Sequence, residues 1–359
     1  MRIAFITRST LYEVPGGDTV QVTQLAKHLK KEGTIADIFL TTQKVDYSGY
    51  DLFYFTNIIR PSDTLFHIAR IEKPFIVSPI LIDYSEYDRQ YRKGLSGAIL
   101  RKFKRHTIEY IKTISRWLKG NDKLRSKKYL WQGQRKSIRE ILNKAAALLP
   151  GTESEYKTLQ ELFGVEKKYV VVPNGIDPSL FHADEDTMKD NNLVLCAARI
   201  EGLKNQLNLI KALNNTRYTL MLVGSHAPNQ KDYYDECRKI AAKNILFYNH
   251  VPQEILTGYY KAAKVHALPS WFETCGLSSL EAAAMGCNIA ISDKGFTRDY
   301  FGNDAFYCDP GSTESIFNAV DKAARSASVK QLQERVISNY TWQMAASITL
   351  ETCKNVISG

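Results

Sequence analysis

The chain of 359 residues is too long for one hydrophobic core of ordinary size, so two domains are the first expectation. Its hydrophobic share of 44 % and charged share of 24 % are typical of a soluble globular protein. The sequence excludes a membrane-spanning helix, because no run approaches the roughly 20 apolar residues that such a helix needs.

The net charge of +10 is concentrated in one segment. Residues 89–139 contain seventeen Lys or Arg and two acids, a local charge of +15 that leaves the rest of the chain at −5. The protein is therefore predicted to be mildly acidic apart from this basic segment.

All six cysteines lie in the second half of the chain, far apart and without a C-x-x-C pair. This spacing argues against a disulfide framework or a zinc site and favours a reducing cytoplasm. The apolar residues 3–6 meet Thr7-Arg8 too early for a signal peptide.

Short β-branched or aromatic runs alternate with helical patterns in the first half of the chain. The strands predicted there are Ile3–Ile6, Ala36–Leu40, Leu52–Phe55, Phe75–Val77, Leu148–Leu149 and Val170–Val172. A helix with apolar positions from Val20 to Leu29 follows the loop Pro15-Gly16-Gly17, and residues 138–147 form a second helix. The polar segment 182–192 reads as an interdomain linker.

The same alternation restarts after this segment. Predicted strands are Leu193–Ala197, Thr219–Val223, Ile245–Tyr248, Val265–Leu268 and Asn288–Ile291. Predicted helices are Gln206–Leu213, Lys231–Lys243, Leu277–Met285 and Thr341–Ile357. Strand–helix alternation in both halves predicts two doubly wound α/β domains, in which ligands bind at the carboxyl ends of the strands.

The most informative motif is Glu273-Thr274-Cys275-Gly276-Leu277-Ser278-Ser279-Leu280-Glu281, which follows a strand and begins a helix. The backbone amides at the start of this helix suit a diphosphate. Glu273 would then meet sugar hydroxyls and Glu281 ribose hydroxyls. An ordinary loop, whose acid favours the helix dipole, explains the spacing equally well.

A pair of cations, Arg199 and Lys204, lies on a glycine-containing turn after another strand. Two cations in this position can clamp a diphosphate and take up the charge of a departing nucleotide. A solvated basic turn is the simpler interpretation of the pair alone. Gly16-Gly17 permits close approach of the backbone to a ligand, although a plain strand–helix turn has the same sequence.

The order Gly16-Gly17, Pro173-Asn174-Gly175-Ile176-Asp177, Arg199…Lys204 and Glu273-x7-Glu281 resembles the retaining GT-B glycosyltransferases of glycosyltransferase family 4 (group 1). The resemblance covers essentially the whole chain and is strongest from Val170 to Pro310. It implies a GT-B fold, with two Rossmann-like, doubly wound parallel-sheet domains facing a cleft. The domains expected are residues 1–175, on the acceptor side, residues 176–340, which bind the nucleotide sugar, and a helix over 341–359 that packs back on the first domain.

The resemblance also assigns roles to the matching residues. Arg199 and Lys204 match the pair that holds the donor diphosphate, and together with Glu273, at the donor sugar, they are the expected catalytic residues. Glu281 matches the ribose-binding glutamate. The other residues expected at the nucleotide sugar are Gly17, which closes over it from the first domain, Val251, near the nucleobase, and Thr274, Cys275, Gly276 and Leu277, near the phosphates and sugar.

The sequence departs from the family pattern on the acceptor side. Many members carry a histidine after the strand that here ends at Val77, where this chain has Ser78-Pro79. Asp83 is the nearest polar candidate for the acceptor. Asp299 stands where a glutamate is common, and Cys287-Asn288 replaces a proline–valine pair.

The basic segment contains apolar residues at near-helical spacing from Leu95 to Leu118, ending in Trp117, with cations between them. This pattern suits the surface of an anionic membrane. Packing of the stripe on the first domain, with solvated charges, is the alternative. A nucleic-acid partner is not expected, because no recognisable nucleic-acid-binding motif accompanies the positive charge.

The resemblance implies retaining transfer from a UDP- or GDP-sugar to a glycan or lipid-linked acceptor in cell-surface polysaccharide or glycoconjugate synthesis, with no metal or other cofactor. The acidic run Asp184-Glu185-Asp186 lies in the polar linker and reads as a solvated patch, not a metal site. Two alternatives remain open: another GT-B enzyme, such as a sugar-phosphate synthase or an epimerase, and a non-catalytic nucleotide-sugar-binding scaffold. The expected location is the cytoplasm or the inner face of the membrane.

Overall fold

A computed structural model of the chain describes residues 1–83, 85–90, 105–120, 123–183, 188–227 and 229–359. They divide into two compact units. Unit 1 comprises Met1–Asn174 and Trp342–Gly359, and unit 2 comprises Gly175–Thr341. Among these residues, no helix has both the length and the apolar character that crossing a bilayer requires.

Unit 1 is a parallel sheet with helices. Its strands are β1 Arg2–Thr7, β2 Ile35–Leu40, β3 Leu52–Thr56, β4 Phe75–Ser78 and β5 Ala147–Leu148. Their order in the sheet is β2-β1-β3-β4-β5, and all neighbours are parallel. Its helices are α1 Gly17–Lys31, α2 Pro61–Ile68, α3 Ser85–Gln90, α4 Arg105–Leu118, α5 Lys128–Lys144, α6 Glu153–Phe163 and, from the end of the chain, α14 Trp342–Ser358.

Unit 2 repeats this architecture with a larger sheet. Its strands are β6 Asp190–Ala197, β7 Thr219–Val223, β8 Ile245–Tyr248, β9 Ala263–Leu268, β10 Asn288–Ser292 and β11 Phe306–Cys308. Their order is β11-β10-β9-β6-β7-β8, again all parallel. Its helices are α7 Gln206–Leu213, α8 Lys231–Ile240, α9 Gln253–Ala262, α10 Leu277–Ala284, α11 Thr297–Phe301, α12 Thr313–Arg325 and α13 Lys330–Asn339.

Burial explains why the central strands are rich in apolar residues. Every residue of β3, β9 and β10 is buried, because helices cover both faces of a parallel sheet. In α1 the buried positions include Val22, Leu25 and Leu29, which recur at helical spacing as predicted. The prediction of two Rossmann-like parallel-sheet domains is confirmed.

Some local predictions were wrong. The segment 182–192, predicted to be an interdomain linker, belongs to unit 2, and β6 begins within it at Asp190. Residues 170–172 do not form a strand: Val170 N donates to Leu148 O at 2.9 Å and Val172 N to Pro150 O at 2.8 Å, but Pro150 has no N–H to continue a ladder. The helix predicted over 138–147 is α5, which begins earlier, at Lys128, and ends at Lys144, since the chain enters β5 at Ala147.

The basic segment is partly described. Leu95, Ile99, Leu100 and Phe103 of the predicted stripe lie outside the described residues. In α4, Ile108 is buried in unit 1, which supports the packing alternative for this part of the stripe. Further along, Trp117 is 39 % exposed and Leu118 72 % exposed, and Trp131 in α5 is 90 % exposed. The described part of the segment therefore contains both a buried apolar residue and exposed apolar residues.

All six cysteines are thiols with buried side chains. Burial raises the pKa of Cys196, Cys237, Cys308 and Cys353 to about 12, because the thiolate is disfavoured away from water. Cys353 lies in α14 of unit 1, and the other five lie in unit 2.

Candidate functional site

The strand order of unit 2 reverses between β6 and β9. The chain runs from β6 through β7 to β8 on one side, then returns to build β9, β10 and β11 on the other. Ligands of such sheets bind where the order reverses, at the carboxyl ends of the two central strands. Arg199 and Lys204 follow β6, and Glu273 follows β9, so the sheet brings the loops that carry all three predicted catalytic residues to this point.

Lys204 and Glu273 form an ion pair at this reversal point. Lys204 Nζ donates to Glu273 Oε1 at 2.6 Å, with the two side chains 22 % and 7 % exposed. A charge-assisted bond of this length orients both groups. The two loops are also joined through their backbones, since Trp271 N donates to Leu203 O at 2.8 Å.

The backbone of Glu273 is fixed by a neighbouring loop. Phe296 N donates to Glu273 O at 2.9 Å, and a bridge pairs Glu273 with Gly295. Gly295 has φ +79, and an added Cβ would lie 2.0 Å from Glu273 O. Only glycine permits this approach. Sequence reasoning missed Gly295, because it lies in the loop after β10 whereas its partner Glu273 lies in the loop after β9.

Asn205 connects three loops of the site and was also missed. It adopts φ +61 and is 4 % exposed. Its Nδ2 donates to Pro269 O at 2.9 Å, after β9, and to Pro310 O at 2.8 Å, after β11. Asparagine tolerates the left-handed region better than most side chains. The residue next to Lys204 thus ties the β6 loop to the β9 and β11 loops.

Arg199 has a different carboxylate partner from Lys204. Its Nη2 lies 3.1 Å from Glu201 Oε1, and its side chain is 37 % exposed. Gln206 holds the turn, since its Nε2 donates to Arg199 O at 2.8 Å and its Oε1 accepts from Glu201 N at 3.3 Å. The guanidinium therefore sits on a braced turn with part of its surface open to a ligand.

The start of α10 has the form of an anion site. Gly276 adopts φ +75, and Ser279 N donates to its carbonyl at 2.8 Å. Thr274 and Leu277 are half-buried, whereas Cys275 is buried in the core. A role for Cys275 at a ligand would therefore come from its backbone, not its thiol. The helix N-terminus supplies N–H groups and positive dipole to this region.

Glu281 lies within α10 and is held by two residues of α9. Its Oε1 accepts from Gln253 Nε2 at 3.1 Å, and its Oε2 accepts from the Tyr260 hydroxyl at 2.9 Å. Burial raises the pKa of this carboxyl to about 7, and the two hydrogen bonds oppose the shift. Val251, two positions before α9, is half-buried against the unit 2 core.

Gly17 belongs to unit 1, where it is the exposed first residue of α1. The loop before it is held by Arg8, whose Nε donates to Asp18 Oδ2 at 2.6 Å and whose Nη2 donates to Val14 O at 2.7 Å. Arg8 Nη1 also donates to Thr10 O at 2.7 Å. Sequence reasoning found the glycines of this loop and missed the arginine that fixes its shape.

Two further expectations concern the acceptor and metals. Asp83 Oδ1 accepts from Ser85 N at 2.8 Å, so this carboxylate caps the local turn. The acidic run Asp184-Glu185-Asp186 lies outside the described residues. In the described ranges, no group of three or more His, Cys, Asp or Glu side chains is arranged to hold a metal ion.

Residues 179–341 match the family model of the glycosyl transferases group 1. An uncharacterised glycosyltransferase of Methanocaldococcus jannaschii is 25 % identical over 212 residues, which are 53 % of this chain and 54 % of that protein. A D-inositol 3-phosphate glycosyltransferase of Acidothermus cellulolyticus is 23 % identical over 82 % of this chain and 75 % of its own length. The chain matches about half the length of the first of these relatives.

Solved structures extend the similarity to the whole chain. Sucrose-phosphate synthase from Thermosynechococcus elongatus has a TM-score of 0.78 at 16 % identity, covering 100 % of this chain and 99 % of that one. Anabaena HepE in complex with UDP has a TM-score of 0.70 at 16 % identity, covering 99 % of this chain and 100 % of that one. Residues 179–341 are thus similar to the glycosyl transferases group 1, and the fold of the chain is that of the GT-B glycosyltransferases.

Proposed function

We propose that the protein transfers a hexosyl group from a nucleotide sugar to a glycan or lipid-linked acceptor, with retention of anomeric configuration and without a metal. The observation that carries the proposal is the Lys204–Glu273 pair, held at 2.6 Å at the reversal point of the unit 2 sheet. A ligand with an anionic part and a hydroxylated part fits this pairing of one cation with one carboxylate.

The roles follow from the charges at the site. Lys204 and Arg199 supply the positive charge that a departing nucleoside diphosphate needs, and the amides at the start of α10 add donors for the same phosphates. Glu273, already fixed by its backbone, accepts hydrogen bonds from the sugar. Glu281 accepts from the ribose, and Val251 lies beside the nucleobase.

Retention is proposed because the catalytic motif order is that of retaining enzymes. In this mechanism the departing phosphate accepts the proton of the acceptor hydroxyl on the face from which it leaves. The two cations stabilise the charge that develops on that phosphate, so the protein needs no separate base there. No cofactor takes part in the proposed reaction.

The donor is proposed to be a UDP-sugar, with a GDP-sugar as the alternative. HepE, whose fold this chain shares, was solved with UDP. A thermal-shift screen with UDP-, GDP- and ADP-sugars and the free nucleotides tests this proposal, since a ligand that binds the native state raises the melting temperature. A shift with one nucleotide family, followed by sugar transfer, is the expected result.

Other outcomes of this screen separate the alternatives. Binding without turnover with any acceptor would favour a nucleotide-sugar-binding scaffold. Turnover with a soluble sugar phosphate would favour a synthase of that kind. A well-folded sample that no nucleotide stabilises would contradict the proposed donor site.

We further propose that the acceptor is met at an anionic membrane on the cytoplasmic side, as in cell-surface polysaccharide synthesis. The basic segment supports this, because Trp117, Leu118 and Trp131 are exposed and belong to the cation-rich stretch 89–139 of the sequence. Each cation near an anionic surface contributes about 1 kcal/mol. Flotation with anionic vesicles, but not with neutral ones, is expected; equal flotation with both, or with neither, would contradict the electrostatic attachment.

A further inference from the structure

The carboxylate of Glu281 is held by two side chains from a single helix. Gln253 and Tyr260 are seven positions apart in α9, close to two helical turns, so they lie on the same face. Gln253 Nε2 reaches Oε1 of Glu281 at 3.1 Å, and the Tyr260 hydroxyl reaches Oε2 at 2.9 Å. Each carboxylate oxygen thus receives one donor from α9.

The Glu281 carboxylate can accept further hydrogen bonds beside these two. An ionised carboxylate offers about four acceptor sites, two on each oxygen. Within the described part of the chain, the Glu281 carboxylate accepts the two bonds from α9, which leaves about one site on each oxygen. Glu281 keeps 9 % of its surface exposed, so the residue is not completely enclosed by the protein.

The two donors also fix the plane of the carboxylate. The Tyr260 ring is fully buried and packs near Phe181 and His266, with ring centroids 6.1 and 6.0 Å away, so its hydroxyl has little freedom to move. Tyr260 has a single O–H to donate, and Glu281 receives it. With Gln253 on the other oxygen, rotation of the carboxylate would break at least one bond.

We infer that Gln253 and Tyr260 are positioning residues that orient Glu281 to accept both hydroxyls of the cis-diol of ribose. The diol presents two adjacent O–H donors, which match the one remaining site on each oxygen. The site therefore selects ribonucleotides over 2′-deoxyribonucleotides. This inference rests on the proposed nucleotide-sugar function and deepens it, because it states how the ribose is read.

The test is the ratio of two dissociation constants, for UDP and 2′-deoxy-UDP, measured by isothermal titration calorimetry. The wild-type protein is expected to bind UDP about tenfold more tightly, or more, since one hydrogen bond to a charged acceptor is lost with the 2′-hydroxyl. In Gln253→Ala and Tyr260→Phe the ratio is expected to fall below about threefold, while UDP still binds through its diphosphate. Tyr259→Phe and Glu254→Ala, at adjacent positions of α9, are matched controls that keep the wild-type ratio.

The ratio separates positioning from a purely structural link between α9 and α10. A structural role would weaken both ligands equally and leave the ratio unchanged in Gln253→Ala and Tyr260→Phe, which would overturn the inference. Wild-type protein that binds UDP and 2′-deoxy-UDP equally well would overturn it too, without harm to the proposed function. Wild-type protein that binds neither ligand would overturn both.

Discussion

The ammonium of Lys204 and the carboxylate of Glu273 meet at 2.6 Å, although the two residues are 69 positions apart in the sequence. They meet because β6 and β9 are neighbours in the sheet and the loops that follow them leave from the same edge. Each group orients the other before any ligand arrives, which is the form of preorganisation that stabilises charge in a transition state.

Removal of either partner is expected to abolish most of the activity. Lys204→Ala and Arg199→Ala should each lower kcat by about 10²–10³, because each removes a positive charge that stabilises the departing phosphates. Glu273→Gln should have an effect of about the same size, because it removes the charged acceptor for the sugar hydroxyls. Steady-state turnover with the nucleotide sugar found by the thermal-shift screen measures this effect. Lys231→Ala is the matched control, since its pair with Asp235 is exposed at 70 % and 53 %. Near-normal rates in all three site variants would refute the site assignment.

Asn205 is expected to stabilise the fold in two ways that can be separated: through its side-chain hydrogen bonds and through its tolerance of a positive φ. Asn205→Gly keeps a residue suited to φ +61 but removes the bonds to Pro269 O and Pro310 O, at a cost of about 2 kcal/mol for two hydrogen bonds. Asn205→Ala adds the strain of a Cβ in the left-handed region, about 1 kcal/mol more. Thermal melting should therefore rank wild type above the glycine variant and the glycine variant above the alanine variant.

The control for Asn205 is Asn215, which has φ +56 on the surface of unit 2. Asn215→Gly is expected to leave the melting temperature nearly unchanged. If Asn205→Gly also melted with the wild-type protein, the three-loop connection would contribute nothing measurable to unit 2.

Gly295→Ala is expected to disable the site through the backbone of Glu273. The added Cβ would lie 2.0 Å from Glu273 O, so one of the two loops must move. We expect a lower melting temperature and a loss of turnover of about 10²-fold, since displacement of a catalytic group by about 1 Å has such an effect. Gly258→Ala in α9, where a Cβ meets nothing within 4 Å, should instead melt at or slightly above the wild-type temperature. Wild-type turnover in Gly295→Ala would mean that the Glu273 loop tolerates this shift.

Nucleotide-sugar affinity should rise with pH through the pKa of Glu281, which burial raises to about 7. The ionised carboxylate accepts two hydroxyl donors, whereas the neutral acid keeps a proton on one oxygen, so binding favours the ionised form. The dissociation constant is therefore expected to fall by up to about tenfold from pH 6 to pH 8 and to level off above that. UDP-glucose is the suitable probe, because the terminal phosphate of UDP itself titrates near pH 6.

Glu281→Gln is the control for this profile, since its amide does not titrate in this range. Its affinity for UDP-glucose should be independent of pH between 6 and 8. A wild-type profile equally flat over this range would show that the charge on Glu281 is not used in binding.

The sequence predicted the alternation of strands and helices well, because buried parallel strands such as Leu52–Thr56 are continuous apolar runs with turn residues at their ends. It also identified both members of the Lys204–Glu273 pair as candidates. That these two side chains touch required the order β9-β6 in the sheet, which no local pattern contains.

Four of the residues that were missed share one physical property. Asn205, Gly295, Gln253 and Tyr260 act through partners 20 or more positions away, such as Pro310 or Glu281, so their own neighbours in the chain give no signal. The false strand at 170–172 has the opposite cause. Its β-branched sequence is a good local signal, but Pro150 in the adjacent segment has no N–H to pair with it.

The buried cysteines make it possible to measure the opening of each unit separately by the rate of thiol modification. A thiol whose pKa is raised to about 12, as in Cys353 of unit 1 and Cys196 of unit 2, reacts with an alkylating reagent only when the surrounding structure opens. Cys353 is the one cysteine of unit 1, so its modification rate reports the opening of that unit. The modification rates of the other five cysteines report the opening of unit 2. Mass spectrometry of peptides after timed alkylation would thus follow the opening of the two halves of this chain separately, with no engineered label.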